Sequence, residues 1–385
     1  MLVRVYIWSK MVRQQSFITT NIFDWSLKAF LFLAPIIWLP GFTQKSLQLL
    51  FFNYGALILF GLSISLPAKR EFKNYNILIL FILAVVISLI RAPHHLSISL
   101  LHIIFGCLLY YAIVRSTSDI QGVLKWFMYL ALINVAFMVL QLFGINLVYG
   151  EQPKLFCGLM AMNKHLAILL AFIAPILAVF SVWALLLVGI ALGMVRNYAA
   201  MLAFTAMFLV ALHFQIKSWK KKILIIIPIL ALVVFIALPL FGSLSYKINS
   251  RLPVWLFTLK QSLGNPFIGY GLDTFTLHAE LSNFRLGEGW IVETYNEYLR
   301  FIYEFGFVPF VILAYSLFSY FKRLSAGIIG DRLKMAFVLS IISILVVCFF
   351  QDALHIGRLA VPIIIIIALF EAYLLDKQNK EVIHD

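Results

Sequence analysis

Runs of about 17 to 20 apolar residues recur from one end of this sequence to the other. Each is long enough for a helix to cross about 30 Å of hydrocarbon. Backbone N–H and C=O groups inside a bilayer must pair within their own segment, so such runs fold as helices. The expected class is an all-α polytopic integral membrane protein. The balance of residues agrees: 63% of the 385 are hydrophobic and 12% charged, and the mean hydropathy is +1.00. A soluble domain is excluded.

The pattern predicts twelve spans, at 25–41, 46–66, 75–91, 96–114, 123–143, 165–180, 182–195, 197–214, 223–241, 294–318, 335–350 and 358–375. The sixth and seventh are short and joined by a tight hairpin near Ser181. With the N-terminus inside, the cytoplasmic segments receive Arg4, Lys10, Arg13, "AKREFK", Arg115, Lys125, "KSWKKK", the Lys322 to Lys334 cluster, Lys377 and Lys380. The opposite orientation puts all of them outside, so both termini are expected to be cytoplasmic. Much of the net charge of +14 is then topology, and no nucleic-acid partner is implied. One integral domain, residues 1–385, is expected, without internal repeats. The first run follows a basic, polar segment and has no small-x-small site after it, which reads as a retained helix rather than a cleaved signal. Cys107 and Cys348 fall within spans and Cys157 in an outer loop, a spacing that offers neither an internal disulfide nor a metal site.

Two outer loops have real length, 146–164 and 242–292, and no cytoplasmic loop could hold a catalytic domain. Chemistry, if present, belongs at the outer face. In the larger loop, Asn249 and Ser250 are candidate caps, Pro253 fits a first turn, and Gly264-Asn265-Pro266 stops a helix. Leu252, Trp255, Leu256, Leu259 and Leu263 share one face, which predicts a short amphipathic helix at the membrane interface. Gly269 and Gly271 then allow a tight turn close to other backbone.

Two arginines stand at helix starts on this reading: Arg251 on the interfacial helix and Arg196 just before the eighth span. A helix N-terminus favours an anion, and arginine forks onto phosphate oxygens, so the pair suggests an anionic headgroup. Anchoring to lipid phosphates is the alternative for each. The third feature is "ETYNEYLRFIYEFG", in which Glu293, Glu297, Arg300 and Glu304 fall on one helical face. A charged stripe in an apolar segment must face protein or a wet cavity. Pairing of Arg300 with Glu297 or Glu304 is the structural explanation. A wet cavity beneath the large loop is the functional one. His278 and His355 lie at the outer face without an obvious ligating partner.

The run "SRLPVWLFTLKQSLGNPFIGYGLDTF", followed by "YNEYLRFIYEFGFVPFVILAY", resembles the core of the O-antigen ligase and polymerase superfamily. Arg251 with Trp255, then Pro266, Gly269 and Gly271, then Asn296, Tyr298, Leu299, Glu304 and Gly306 match its pattern. "GLMAMNKHLAILLAF" and Arg196-Asn197-Tyr198-Ala199 resemble two earlier segments, so the resemblance covers about residues 157–315. Tyr295 stands where ligases of the superfamily usually have histidine.

The resemblance implies a metal-independent glycosyltransferase, without cofactor, at the periplasmic face of a bacterial inner membrane. The donor would be a glycan on undecaprenyl diphosphate and the acceptor lipid A core or, for a polymerase, another lipid-linked glycan. Arg196 and Arg251 would stabilise the departing diphosphate, and Glu293 or Glu297 would take the acceptor's proton. Tyr295 and Asn296 would orient sugar or phosphate oxygens, with Trp255, Gly269, Gly271 and His278 lining the substrate. A transporter or flippase is the rival class, which predicts broken helices meeting near the midplane. An inactive scaffold is the third reading.

Overall fold

The computed structural model describes residues 21–34, 44–70, 75–91, 98–145, 158–160, 163–215, 241–281, 285–286, 289–290, 293–325, 328, 330–355 and 357–384. These are helical apart from turns and one two-residue antiparallel pair, Arg285↔Trp290 and Leu286↔Gly289. In chain order the helices are α1 (21–33), α2 (Gln44–Ser65), α3 (Tyr75–Arg91), α4 (Ile98–Ser116), α5 (Ile120–Leu142), α6 (Asn163–Phe180), α7 (Val182–Val195) and α8 (Tyr198–Gln215). Then come α9 (Phe241–Ser262), α10 (Thr274–Leu281), α11 (Glu297–Phe305), α12 (Phe307–Ser325), α13 (Arg332–Phe350), a 3₁₀ turn (Ala353–His355) and α14 (Gly357–His384).

Among the described residues, four helical stretches are long and apolar enough to cross a membrane: Ile120–Leu142, Asn163–Phe180, Arg332–Phe350 and Leu359–Asn379. Six shorter apolar ones accompany them, Phe51–Ser65, Ile82–Arg91, Leu100–Ser116, Val182–Val195, Tyr198–Ala211 and Phe307–Lys322. The architecture is that of a helical membrane protein. The ninth expected span, at 223–241, lies almost wholly outside the described residues, as does Cys157.

Helix α6 is apolar all round and sits at the centre. Every residue from Leu166 to Leu177 is buried, against α5, α7, α8 and α13. Helices α2, α4 and α14 form a second group. Large apolar side chains such as Ile82 and Ile90 on α3, and Trp183 and Ile190 on α7, remain exposed. A chain embedded in lipid has no reason to hide them. At one end of the bundle the buried Arg70 guanidinium donates to the Val114 and Thr117 carbonyls at 3.1 and 2.7 Å, and to Asp376. That fixes the ends of α4 and α14 to the segment after α2.

The structure corrects two sequence expectations. The interfacial helix does not start at Asn249 or Ser250. It starts at Phe241, so Arg251 and Pro253 lie in the interior of α9. A proline there forgoes one i→i−4 hydrogen bond but does not end this helix. Leu252, Leu256, Leu259 and Leu263 point outward, while Val254, Thr258 and Ser262 face the protein. The apolar stripe is thus on the outside, as contact with lipid requires.

The tenth span is also not one helix. It breaks at Gly306, which has φ 86° and ψ 176°, a region open only to glycine. The broken ends are satisfied by the loop after α9: the Tyr270 and Gly271 N–H groups donate to the Tyr303 and Glu304 carbonyls at 3.0 and 2.8 Å, and Phe307 N–H donates to the Pro266 carbonyl at 2.7 Å. Contact is backbone to backbone. A Cβ on Gly269 (φ 62°) would stand 2.5 Å from the Glu304 carbonyl, and one on Gly306 would stand 2.3 Å from the Phe267 oxygen. The glycines of "PFIGYG" and "EFG" are one device, which closes a helix break with backbone hydrogen bonds from the facing loop.

Candidate functional site

The break aims α11 at the turn between α13 and α14, and the charged stripe lands there. Arg300 donates through Nε to Glu304 at 2.9 Å and through Nη2 to Asp273 at 3.0 Å, and its Nη1 pairs with Asp352 at 3.5 Å. Glu297 accepts from the Leu354 backbone N–H at 3.2 Å. Glu297, Arg300 and Glu304 are all buried. The stripe therefore packs into protein, and the expected wet cavity does not include these three residues. A buried carboxylate needs such partners, and here three carboxylates share one guanidinium.

Asp352 also grips the segment ahead of α11. Its carboxylate accepts from the Thr294 backbone N–H at 3.0 Å and hydroxyl at 2.8 Å. Asn296 caps α11, accepting from the Tyr298 and Leu299 N–H groups at 3.0 Å each. Its side-chain oxygen is thereby committed to the helix end, while its side-chain amide N–H groups remain donors. Between these fixed points Tyr295 takes a left-handed backbone, φ 54°, a strained choice for a side chain with a Cβ.

That conformation brings Tyr295 to Arg251. The guanidinium carbon lies 5.0 Å from the Tyr295 ring centroid, and Nη1 donates to the Phe350 carbonyl at 2.9 Å. Burial lowers the Arg251 pKa, while Tyr295, Asp352 and Glu293 oppose the change. The group stays charged at neutral pH. Burial and Glu293 raise the Tyr295 hydroxyl's pKa, against the pull of Arg251. Tyr295 thus holds a cation in place and is a poor base.

Glu293 is part-exposed and meets Lys164, at the start of α6, at 3.6 Å. Trp255 lies one turn from Arg251 on α9 and meets the Phe349 ring edge-on at 5.5 Å. His278 sits behind the loop, its Nδ1 against the Tyr303 hydroxyl and its ring edge-on to Tyr270 at 5.0 Å. Burial lowers its pKa. Gly269 and Gly271 serve the backbone junction described above.

The structure brings together Arg251, Trp255, Glu293, Tyr295, Asn296 and Glu297. No contact among the described residues joins Arg196 to them. Arg196 caps the C-terminus of α7 in the left-handed region (φ 52°). Its side chain is exposed and makes no ion pair among the described residues. Sequence reasoning missed Asp352, Thr294 and Asp273. Asp352 was visible as an acid next to a long apolar helix, in a turn otherwise free of acids. No group of three or more His, Cys, Asp or Glu side chains suited to a metal occurs among the described residues. No protein-family model matches the chain, and no curated protein matches it either.

Proposed function

We propose that this protein is a membrane-embedded glycosyltransferase that moves a glycan from undecaprenyl diphosphate to an acceptor at the outer face of a bacterial inner membrane. The acceptor in this reading is lipid A core, as in the O-antigen ligases that the sequence resembles. Twelve spans, cytoplasmic termini and a metal-independent reaction without a cofactor belong to the same proposal.

The observation that carries it is the setting of Arg251. A half-buried guanidinium is clamped by a ring and a carbonyl, and its Nε and Nη2 have no acceptor among the described residues. A fixed cation in a partly dry place stabilises charge that develops on a leaving diphosphate more than it stabilises the ground state. Glu293, part-exposed and beside a lysine, is the carboxylate placed to accept the acceptor hydroxyl's proton. Glu297 is committed to Leu354 and holds the turn. The C–O bond to the sugar breaks toward the diphosphate as the acceptor oxygen attacks.

A polymerase that adds lipid-linked repeat units is the second reading. Tyr295 in place of histidine favours it, since a cation-holding phenol offers no base at that position. Product analysis separates the two. Purified protein in nanodiscs is supplied with an undecaprenyl diphosphate-linked repeat unit, with and without lipid A core. Glycan on the core only when core is present is the ligase outcome, and a ladder of lengthened lipid-linked glycan without core is the polymerase outcome. No product with the native donor overturns both.

A further inference from the structure

Two buried hydrogen-bonding atoms beside Arg251 are unspent. The Trp255 indole nitrogen and the Gln351 side-chain oxygen are shut away from solvent with no partner among the described residues. Gln351 is only 5% exposed. Native proteins ordinarily pair such groups, so each exception calls for an explanation. Both lie on residues next to the contacts of Arg251. Trp255 follows Arg251 by one helical turn and rests on Phe349. Arg251 donates to the Phe350 carbonyl, which is bonded to the Gln351 nitrogen.

The chemistry of the three groups is complementary to one kind of ligand. Arginine and indole N–H groups are donors only, so they ask for an acceptor such as a phosphate oxygen. The glutamine oxygen is an acceptor and asks for a hydroxyl or amide N–H. A fully ionised anion, which has no O–H, answers the first demand and leaves the second. A phosphate joined to a sugar answers both.

We propose that Gln351 and the Trp255 indole form a sugar-contacting subsite beside the Arg251 anion position, and that Gln351 selects the saccharide next to the phosphate. This rests on reading the cluster as a site for a phosphate-linked glycan. The Trp255 N–H bonds a phosphate oxygen or the sugar's bridging oxygen, and the Gln351 amide bonds a ring hydroxyl or acetamido group. Removing one such neutral bond changes affinity by roughly 3- to 12-fold.

The test uses the full chain in nanodiscs, labelled with 5-fluorotryptophan, the Trp255 signal being identified by its loss in Trp255→Phe. Inorganic phosphate and a panel of hexose 1-phosphates, with and without a 2-acetamido group, are titrated separately. At least one sugar phosphate is expected to shift the Trp255 signal at lower concentration than inorganic phosphate does. Gln351→Leu should raise that sugar phosphate's Kd by roughly 3- to 12-fold and leave the phosphate Kd within about twofold, with the other fluorotryptophan signals in place to report an intact fold. Equal effects on both probes, or none on either, overturn the subsite. Phosphate binding without preference for any sugar phosphate overturns the subsite and leaves the anion position standing. If no probe moves the Trp255 signal, the anion position falls too, and the subsite with it.

Discussion

Asp352 holds Thr294 by two bonds, one to its backbone N–H at 3.0 Å and one to its hydroxyl at 2.8 Å. Residues that lie 58 apart in sequence are thereby locked where the segment carrying Glu293 and Tyr295 turns into α11. Asp352→Ala removes both bonds and one of three carboxylates around Arg300. Loss of a partner from a buried ion pair costs about 3 to 5 kcal/mol. Arg300 keeps Asp273 and Glu304, so a loss near the lower bound is expected. Thermal unfolding in detergent measures it, and Asp352→Asn, which can still accept from the hydroxyl, should lose less.

Gly306→Ala should be among the most damaging single changes outside the bundle centre. The substitution meets a backbone conformation reserved for glycine and a carbonyl oxygen 2.3 Å from the new carbon. Backbone strain alone is of order 1 to 3 kcal/mol. Gly269→Ala meets the same junction from the other side. Both variants should show reduced yield and a lowered melting temperature, whereas Gly61→Ala, which meets nothing within 4 Å, should not.

In the proposed site Tyr295 acts through its ring, which lies under the Arg251 guanidinium. Tyr295→Phe keeps the face under the Arg251 guanidinium and should leave transfer within about threefold of wild type. Tyr295→Leu loses a part-buried cation–π contact of about 0.5 to 2 kcal/mol, so kcat/KM should fall by roughly 2- to 30-fold. Equal losses in the two variants would mean that the hydroxyl matters.

His278 should make stability depend on acid. Burial lowers its pKa below the ordinary 6.5, so the unfolded chain binds its proton more readily than the folded one. Stability then rises with pH across this window, and it is lost as pH falls from about 6.5 through the lower folded value. His278→Gln should flatten that limb of a melting-temperature profile between about pH 7 and 5 and leave the profile above pH 7 unchanged.

Glu293 and Lys164 are both about one-third exposed, so their pair should matter little to stability, within about 1 kcal/mol. Glu293→Gln should therefore unfold like wild type while losing transfer activity. A matching loss of both would make Glu293 a structural residue.

The helical, apolar character of the chain was legible because run length and hydropathy are local properties. So was the turn at Gly269, where a tight approach asks for a residue without Cβ. The break at Gly306 was not: Phe305 and Phe307 keep the apolar run continuous, and the partners that close the gap come from residues 266–271. The start of α9 was misplaced because Asn249, Ser250 and Pro253 imitate a helix beginning, whereas the helix runs from Phe241 straight through them. In the site, the pairing of Arg300 with Glu304 follows from i,i+4 spacing alone. Asp352, Thr294 and Asp273 could not be found that way, since each meets the stripe only through tertiary packing. Arg196 and Arg251 look alike in sequence as cations next to helices, and only the fold separates an exposed cap from a clamped guanidinium.

The most direct measurement is release of undecaprenyl diphosphate from a glycan-loaded donor in nanodiscs, comparing wild type with Arg251→Lys. Lysine keeps the charge but loses the planar fork and the stacking on Tyr295. Removal of one such stabilising donor typically costs 10²- to 10³-fold in kcat, so release should fall by about that factor while the melting temperature changes little. Release at the wild-type rate in a stably folded Arg251→Lys protein would contradict the proposed role of the Arg251 site.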